Sequence, residues 1–261
     1  MSIANSVIRN NTKDFYENFH KNSKLSVKKL KTNNFTYKII FSTIYDFLSN
    51  HKINNVLDYG CGVGNVSFFL AGKGYKVFGT DISSKAISLA NRKSKYFNLN
   101  KWVHFYTLDK FSKLKKTKFD LILCFEVIEH IKDDKKFIKY LHSIIMSDGY
   151  LILSTPSKNA PLFKLGLLYD FDRKVGHLRR YKPLEIINKL EENGFTVERL
   201  IKTEGVLRNS LFTINGLGIL IKFIKGPIVN IVSLIDNITL KIFGESDLII
   251  IAKKNEVTLS H

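Results

Sequence analysis

From residue 54 onward the chain alternates short apolar runs with amphipathic stretches, and this rhythm restricts the fold more than any other feature. NNVLDY, KVFGTDI, WVHFYTLD, FDLILCFE and YLILSTP read as buried strands, whereas VSFFLAGKG, SSKAISLANRKSKYF, DDKKFIKYLHSIIMSDG and KPLEIINKLEENGF read as helices. The boundary residues agree. A serine caps the second of these helices, Gly149 stands past the end of the third, and Pro183 falls in the first turn of the fourth. Strands separated by helices imply crossover connections, hence a mostly parallel sheet with helices on both faces. FTYKIIFSTIYDFL, residues 35–48, has a helical apolar pattern and should pack on this core, and FTVERLIKTEG and DLIIIAKK add two late strands.

Four regions follow: a basic arm and helix over 1–50, a cofactor-binding core over 51–205, an apolar helical lid insertion over 206–245, and the last core strand with its tail over 246–261. The insertion is far more apolar than a surface loop, but Lys222, Lys225, Pro227, Asp236 and Lys241 interrupt it, which argues against a membrane span. Two short amphipathic helices broken at Gly226–Pro227 are expected. They either bury themselves on the core or a second subunit, or face a membrane or a greasy substrate. The chain has 41 Lys and Arg against 23 Asp and Glu, a net charge of +18, which draws it to polyanions or anionic membranes or simply solvates one face. Two cysteines, Cys61 and Cys124, cannot frame a disulfide-rich fold or a thiolate metal cluster, and no signal-peptide pattern opens the chain. A reducing cytoplasm, with the inner membrane surface as a docking place, is the expected location.

VLDYGCGVGN, residues 56–65, carries the chemistry. A dinucleotide fingerprint G-x-G-x-x-G starting at Gly60 needs a third glycine at position 65, where Asn65 stands. The Asp58 carboxylate would also lie close to a pyrophosphate at an electrostatic cost. S-adenosylmethionine meets neither objection: it has no phosphate, and its methionine end carries an ammonium beside a sulfonium. Gly60, Gly62 and Gly64 let the backbone approach the ligand, and Asp58 supplies negative charge near the cationic end. Asp81, which ends the second strand within FGTDIS, can accept both ribose hydroxyls or, alternatively, cap the next helix. Asp109, ending WVHFYTLD, is placed for the adenine amino group. Phe125 and Val127 follow the fourth strand and are placed to wall the nucleoside.

LDYGCGVGN, FGTDIS, YTLDK, FDLILCFEVIEHI and GHLRRYKPLEIINKLEENGF together resemble a class I S-adenosylmethionine-dependent methyltransferase, similar to the group containing ubiquinone-biosynthesis O-methyltransferases. The resemblance covers about residues 35–205 and the final strand. It implies a Rossmann-like α/β fold with a seven-stranded sheet whose last strand, DLIIIAKK, runs antiparallel. The quinone enzymes carry an arginine in the N-terminal helix that assists cofactor binding; here the region reads YKIIFS and Lys38 is the nearest cation. The cofactor-binding set comprises Asp58, Gly60, Cys61, Gly62, Gly64, Asp81, Ile82, Asp109, Phe125 and Glu126.

EVIEH places Glu126, Glu129 and His130 at i, i+3 and i+4, on one face if the segment turns helically, with His177 of GHLRRY as a fourth candidate. Some relatives resemble this in using such a set for magnesium or zinc. The alternative, preferred because the ligands are mixed and magnesium favours oxygen, is an ordinary strand-to-helix connection without metal. His130 and His177 are then the candidate bases for an oxygen nucleophile. The acceptor is expected to be a small lipidic or isoprenoid molecule met at an anionic membrane surface. An RNA 2′-O-methyltransferase and a non-catalytic cofactor-binding partner protein are the alternatives; nucleic acid ranks lower because no RNA-binding module is visible. Oligomeric state is open.

Overall fold

The computed structural model describes residues 10–20, 33–112 and 117–255. The lysine-rich arm at 21–31 lies outside the described residues. Seven strands, β1 (Asn55–Tyr59), β2 (Lys76–Asp81), β3 (Val103–Thr107), β4 (Phe119–Phe125), β5 (Ile145–Pro156), β6 (Phe195–Thr203) and β7 (Asp247–Lys254), form one sheet in the order β3-β2-β1-β4-β5-β7-β6. β1 to β5 pair in parallel, and β7 runs antiparallel between β5 and β6. The expected mixed seven-stranded sheet is therefore present.

The helices are α1 (Asn10–Phe19), α2 (Lys38–Asn50), α3 (Asn65–Ala71), α4 (Ser84–Tyr96), the single turn α5 (Leu108–Phe111), α6 (Asp134–Ile144), the short α7 (Pro161–Lys164), α8 (Tyr169–Val175), α9 (Pro183–Glu191), α10 (Val206–Thr213) and α11 (Pro227–Phe243). Strand residues alternate between two cores, as a period of two requires. Val56, Leu121 and Leu123 face Phe41 and Ile44 of α2, Phe69 of α3 and Ile87 of α4. Leu57, Ile122 and Cys124 face Phe137 and Leu141 of α6 and Ile186 of α9. This double burial explains the near-continuous apolar strand sequences.

Two local expectations are corrected. The helix expected over DDKKFIKYLHSIIMSDG stops at Ile144, and β5 begins at Ile145. Asp148 takes a left-handed φ of 60°, and the β4–β5 register shifts between Phe119 and Leu121, so the residues before Gly149 form an irregular strand entry rather than a last helical turn. The 206–245 region is not two short helices. It holds α10, a 3₁₀ stretch at Leu217–Phe223 and then the 17-residue α11, which does start at the Gly226–Pro227 break.

α11 is amphipathic with its polarity inverted. Val229, Val232 and the carboxylate of Asp236 face inward, whereas Ile228, Ile231, Leu234, Ile235, Ile238 and Ile242 are exposed. The buried Asp236 accepts hydrogen bonds from the Gly205 N–H (2.9 Å) and the Arg208 N–H (2.7 Å) and so caps α10 from a neighbouring helix. Arg208, almost wholly buried, donates to Glu204 and to the carbonyls of Phe35 and Thr36, and its guanidinium lies 4.3 Å from the Phe35 ring centroid. Lys38 donates to Asn230 and Ser233 of α11, so this cation is committed to the helical segment.

Asp236→Ala leaves two buried N–H groups without acceptors and should cost about 2–3 kcal/mol of stability in denaturant unfolding, with Asp236→Asn costing less. Gly205→Ala should destabilise the same junction, because its Cβ would collide with Thr239 Oγ1 and the Asp236 carbonyl of α11.

Candidate active site

The carboxyl ends of the parallel strands open into a cavity of about 530 Å³ lined from α1 through to the start of β7. At its centre is the turn after β1. Gly60 and Gly64 have φ of 78° and 84°, and a Cβ at either would collide with packed side chains: Val127 against Gly60, Phe105 and Phe68 against Gly64. Only Gly62 (φ 50°) faces open space. Two of the three glycines thus serve close internal packing, and one leaves room for a ligand.

The turn is anchored by Asp81. One carboxylate oxygen accepts from the Gly62 N–H (2.9 Å), the other from the Ser83 N–H (2.8 Å). Ser83 itself caps α4 by accepting from the Ala86 N–H. The helix-cap alternative for Asp81 therefore holds only in part; its second bond is to the glycine loop. Asp58 is 3% exposed, accepts from Ser67 Oγ (2.5 Å), and has no cation within ion-pair distance among the described residues. Burial pushes its carboxyl up to about 6, although the Ser67 bonds oppose the shift.

Asp58, Gly60, Cys61, Gly62, Phe125 and Glu126 line the main cavity; Asp81 and Ile82 line a smaller adjoining pocket with Leu108, Val127 and Ile131. Gly64 is packed behind the wall. Asp109 does not line either: it is the second residue of the turn α5, is exposed, and is held low by a hydrogen bond from Thr107, while Leu108 lines the small pocket. Arg180 of GHLRRY also lines the cavity, as do Tyr16 and His20 of the N-terminal region, Tyr37, Asn65, Asn209, Ser246 and Asp247, which were not singled out from sequence as site residues. Glu17 ties α1 over the crevice by accepting from Ser83 Oγ, Ser84 N–H and Lys85 N–H at the start of α4.

The EVIEH residues do not share one helical face. Glu126 takes φ 54°, which breaks the helical phase, and accepts from Ser154 Oγ (2.5 Å); only Ile128–His130 turn, as a 3₁₀ helix. Glu129, His130 and His177 instead converge. The buried Glu129 Oε1 lies 3.6 Å from His130 Nε2 and 3.9 Å from His177 Nε2, with no hydrogen-bond partner of its own. Both imidazoles are held from behind, His130 Nδ1 by the Gly176 carbonyl (2.9 Å) and His177 Nδ1 by Asp172 (2.8 Å). Both rings line the cavity, and both Nε2 atoms stand on the side of Glu129 Oε1, which lines neither cavity. His177 is therefore a nearly buried, oriented residue rather than an exposed loop histidine. Burial lowers His130 to about 4, and burial, then Glu126, raises Glu129 well above the usual carboxylate range. Arg179 and Tyr181 bind Asp134, and Arg180 binds Asp172, so the GHLRRY cations are engaged within the protein except for Arg180 Nη1.

The methyltransferase-domain family matches residues 20–200. The chain is 33% identical over 163 residues to a ubiquinone biosynthesis O-methyltransferase of Glaesserella parasuis, covering 56% of this chain and 66% of that protein. It is 32% identical over 148 residues to a magnesium-protoporphyrin O-methyltransferase of Synechocystis, covering 55% and 64%. The matches thus span less than two thirds of the length of these relatives. The structure of a Synechocystis magnesium protoporphyrin IX methyltransferase with bound SAH superposes with a TM-score of 0.58 at 20% identity, over 94% of this chain and 95% of that one, a likeness of fold.

With a folded value near 6 against 3.8 for the free side chain, Asp58 binds more protons in the native state between those values. Its contribution should make stability fall as pH rises across that window, a slope that Asp58→Asn removes. Carboxyl NMR should place the midpoint near 6 in the ligand-free protein, and higher still in Ser67→Ala.

Proposed function

The chain belongs to the methyltransferase-domain family, and from that premise we propose that it binds S-adenosylmethionine beyond β1 and methylates a small acceptor with a large apolar part. The observation that carries this reading is Asp58: a buried carboxyl without a cationic partner, beside the one loop glycine that faces open space. A cationic ligand relieves that situation and a pyrophosphate worsens it. Neither cavity is lined by a lysine, which also fits a ligand without phosphate.

In this reading Asp58 attracts the ammonium of the methionine portion. Each Asp81 oxygen, already holding one backbone N–H, keeps a lone pair for a ribose hydroxyl. Ile82, Leu108, Val127 and Ile131 form an apolar slot for the adenine. When bound, the cofactor supplies an electrophilic methyl carbon on a sulfonium. The names of the similar O-methyltransferases support an oxygen acceptor. His177 is the better base: Asp172 fixes its Nδ1–H and leaves Nε2, on a ring that lines the cavity, to take the acceptor's proton. His130, depressed to about 4, is a poor base near neutrality.

A second reading of the same cluster rests on the orphaned Glu129 Oε1. Two bare Nε2 atoms and a carboxylate, with both imidazoles held from behind by a carbonyl and a carboxylate, suit a divalent cation. Ligands of a tetrahedral zinc stand about 3.3 Å apart, slightly closer than the oxygen–nitrogen separations here. The ion would hold and acidify an acceptor hydroxyl. Glu126, bonded to Ser154, stands apart from this set.

The apolar acceptor is met at a membrane surface through the 206–243 segment, which also covers the acceptor end of the cavity. Asn209, Phe212 and Thr213 of α10 line the cavity, while α11, on the outer side of α10, exposes its isoleucine row. Lys222, Lys225 and Lys241 are the exposed charges of this segment; its one acid, Asp236, is buried. An apolar face rimmed by cations suits an anionic bilayer better than a second copy of itself. Among the described residues no helix is long and apolar enough to cross a membrane.

Calorimetric titration should detect S-adenosylmethionine binding, weakened by roughly 1.5–3 kcal/mol in Asp81→Ala; an unbound wild type removes the reading. His177→Ala should slow methyl transfer about 10²–10⁴-fold with cofactor affinity retained, and His130→Gln should slow it less. If plasma mass spectrometry finds a divalent ion that Glu129→Gln and both histidine variants lose, the metal reading takes over. Full-length protein should float with anionic liposomes, and Ile231→Ser with Ile238→Ser should reduce flotation; equal flotation excludes α11 as the attachment.

A further inference from the structure

The chain is strongly basic, yet its cavity is acidic. Against 41 Lys and Arg in the sequence, the cavity wall offers a single arginine and no lysine, together with four acids: Asp58, Glu126, Glu204 and Asp247. Asp58 belongs to the proposed cofactor end and Glu126 stands at the tip of β4. The other two lie farther along the same sheet edge, Glu204 just past β6 and Asp247 at the start of β7. Since β7 runs antiparallel to β6, its first residue returns to the edge where β6 ends, and the pairing of Thr203 with Asp247 places the two acids side by side.

Glu204 has a partner, Arg208, at 3.1 Å. Asp247 has none: one oxygen accepts from the Leu248 N–H, and no cation among the described residues lies within ion-pair distance. Burial, then Glu126 and Glu204, hold it well above the usual carboxylate range. Two further groups point to a missing ligand. Asn209 Oδ1 and Ser246 Oγ are buried without any hydrogen-bond partner, in residues 6% and 1% exposed that both line this end of the cavity. Buried polar atoms are rarely left so, and an orphan costs the full desolvation of the group. Glu204 and Asp247 bring carboxylate oxygens, Asn209 a carbonyl oxygen and Ser246 a hydroxyl. Arg180 Nη1, on the same cavity wall, is an unpartnered donor, but these four residues are rich in acceptors, so a ligand beside them brings donors.

We propose that Asp247, Glu204, Asn209 and Ser246 form a recognition site for a protonated amine on the methyl acceptor, past the reacting end of the cavity. An ammonium offers three donors and the positive charge that Asp247 lacks. The acceptor is then an amphiphile, with an apolar body against Phe171, Val175 and Phe212 and a cationic group at the β6–β7 edge. This specificity reading rests on the methyltransferase assignment for the word acceptor, but the site itself is separate from the cofactor end.

The test titrates the full chain, loaded with S-adenosylhomocysteine, with two probes of matched shape: 2-phenylethylamine and phenylacetate. The amine should bind at least about 10-fold more tightly, the worth of one charge-assisted contact. Asp247→Asn and, independently, Asn209→Leu should each remove most of that preference while leaving S-adenosylhomocysteine affinity unchanged. Equal or tighter binding of phenylacetate overturns the proposal. So does an absence of amine binding, or a preference unaltered in both variants. Failure of the cofactor reading would show separately, as no heat with S-adenosylhomocysteine in the wild type; the probe comparison is then made on the unloaded chain.

Discussion

The carboxylate of Asp81 is the constraint on which the site depends. With one oxygen on the Gly62 N–H and the other on the Ser83 N–H, it locks the turn after β1 to the turn after β2. Gly60 and Cys61 N–H groups donate to the Thr80 carbonyl and reinforce the same junction. Two adjacent strand ends thereby become one ledge, and α1 is latched beside it onto the start of α4 by Glu17. A side chain whose oxygens each retain a lone pair can hold a scaffold and still receive a ligand.

What was legible in the sequence was what lies close along the chain. The strand–helix rhythm, the glycine turn, Asp58, Asp81 and the Ser83 cap all follow from local pattern, because a buried parallel strand and a helix start leave short-range signatures. Asp109 was a local inference that failed to reach the wall: a single helical turn rotated Leu108 inward and Asp109 out. Glu126 misled for a related reason, since its left-handed backbone shifts it out of phase with Glu129 and His130, and no residue type announces a positive φ at a glutamate. Tyr16, Asn209, Ser246 and Asp247 were invisible because their proximity is created only when distant segments meet at the sheet edge. Tyr16 in particular sits in a stretch whose composition reads as solvated.

In two places acidic and apolar groups stand where average composition alone does not put them. In α11 the carboxylate is inside and the isoleucines are outside, an arrangement that hydropathy along the segment left open between burial and an outward apolar face. In the cavity, acids collect within a chain whose surface is dominated by lysine. Asp236 satisfies the buried N–H groups of a helix start, and the cavity acids are the groups we assign to cationic parts of the ligands. The net charge of +18 and the four acids of the cavity wall thus have opposite signs.

The position of β7 has a consequence for biosynthesis. Among the described residues β6 pairs only with β7, and β7 wedges between β5 and β6. As a ribosome delivers the chain, the first five strands can assemble while β6 waits without a neighbour, and β5 presents a bare edge. Neither is covered until residues 247–254 emerge, after the whole greasy 206–243 stretch has already been released. Nascent protein thus passes through an interval with an open strand edge and loose apolar helices together, the combination that invites association between unfinished copies. Shortening the delay between synthesis of β6 and arrival of β7 shortens that exposure, so the length of the intervening helices sets a kinetic hazard as well as a shape.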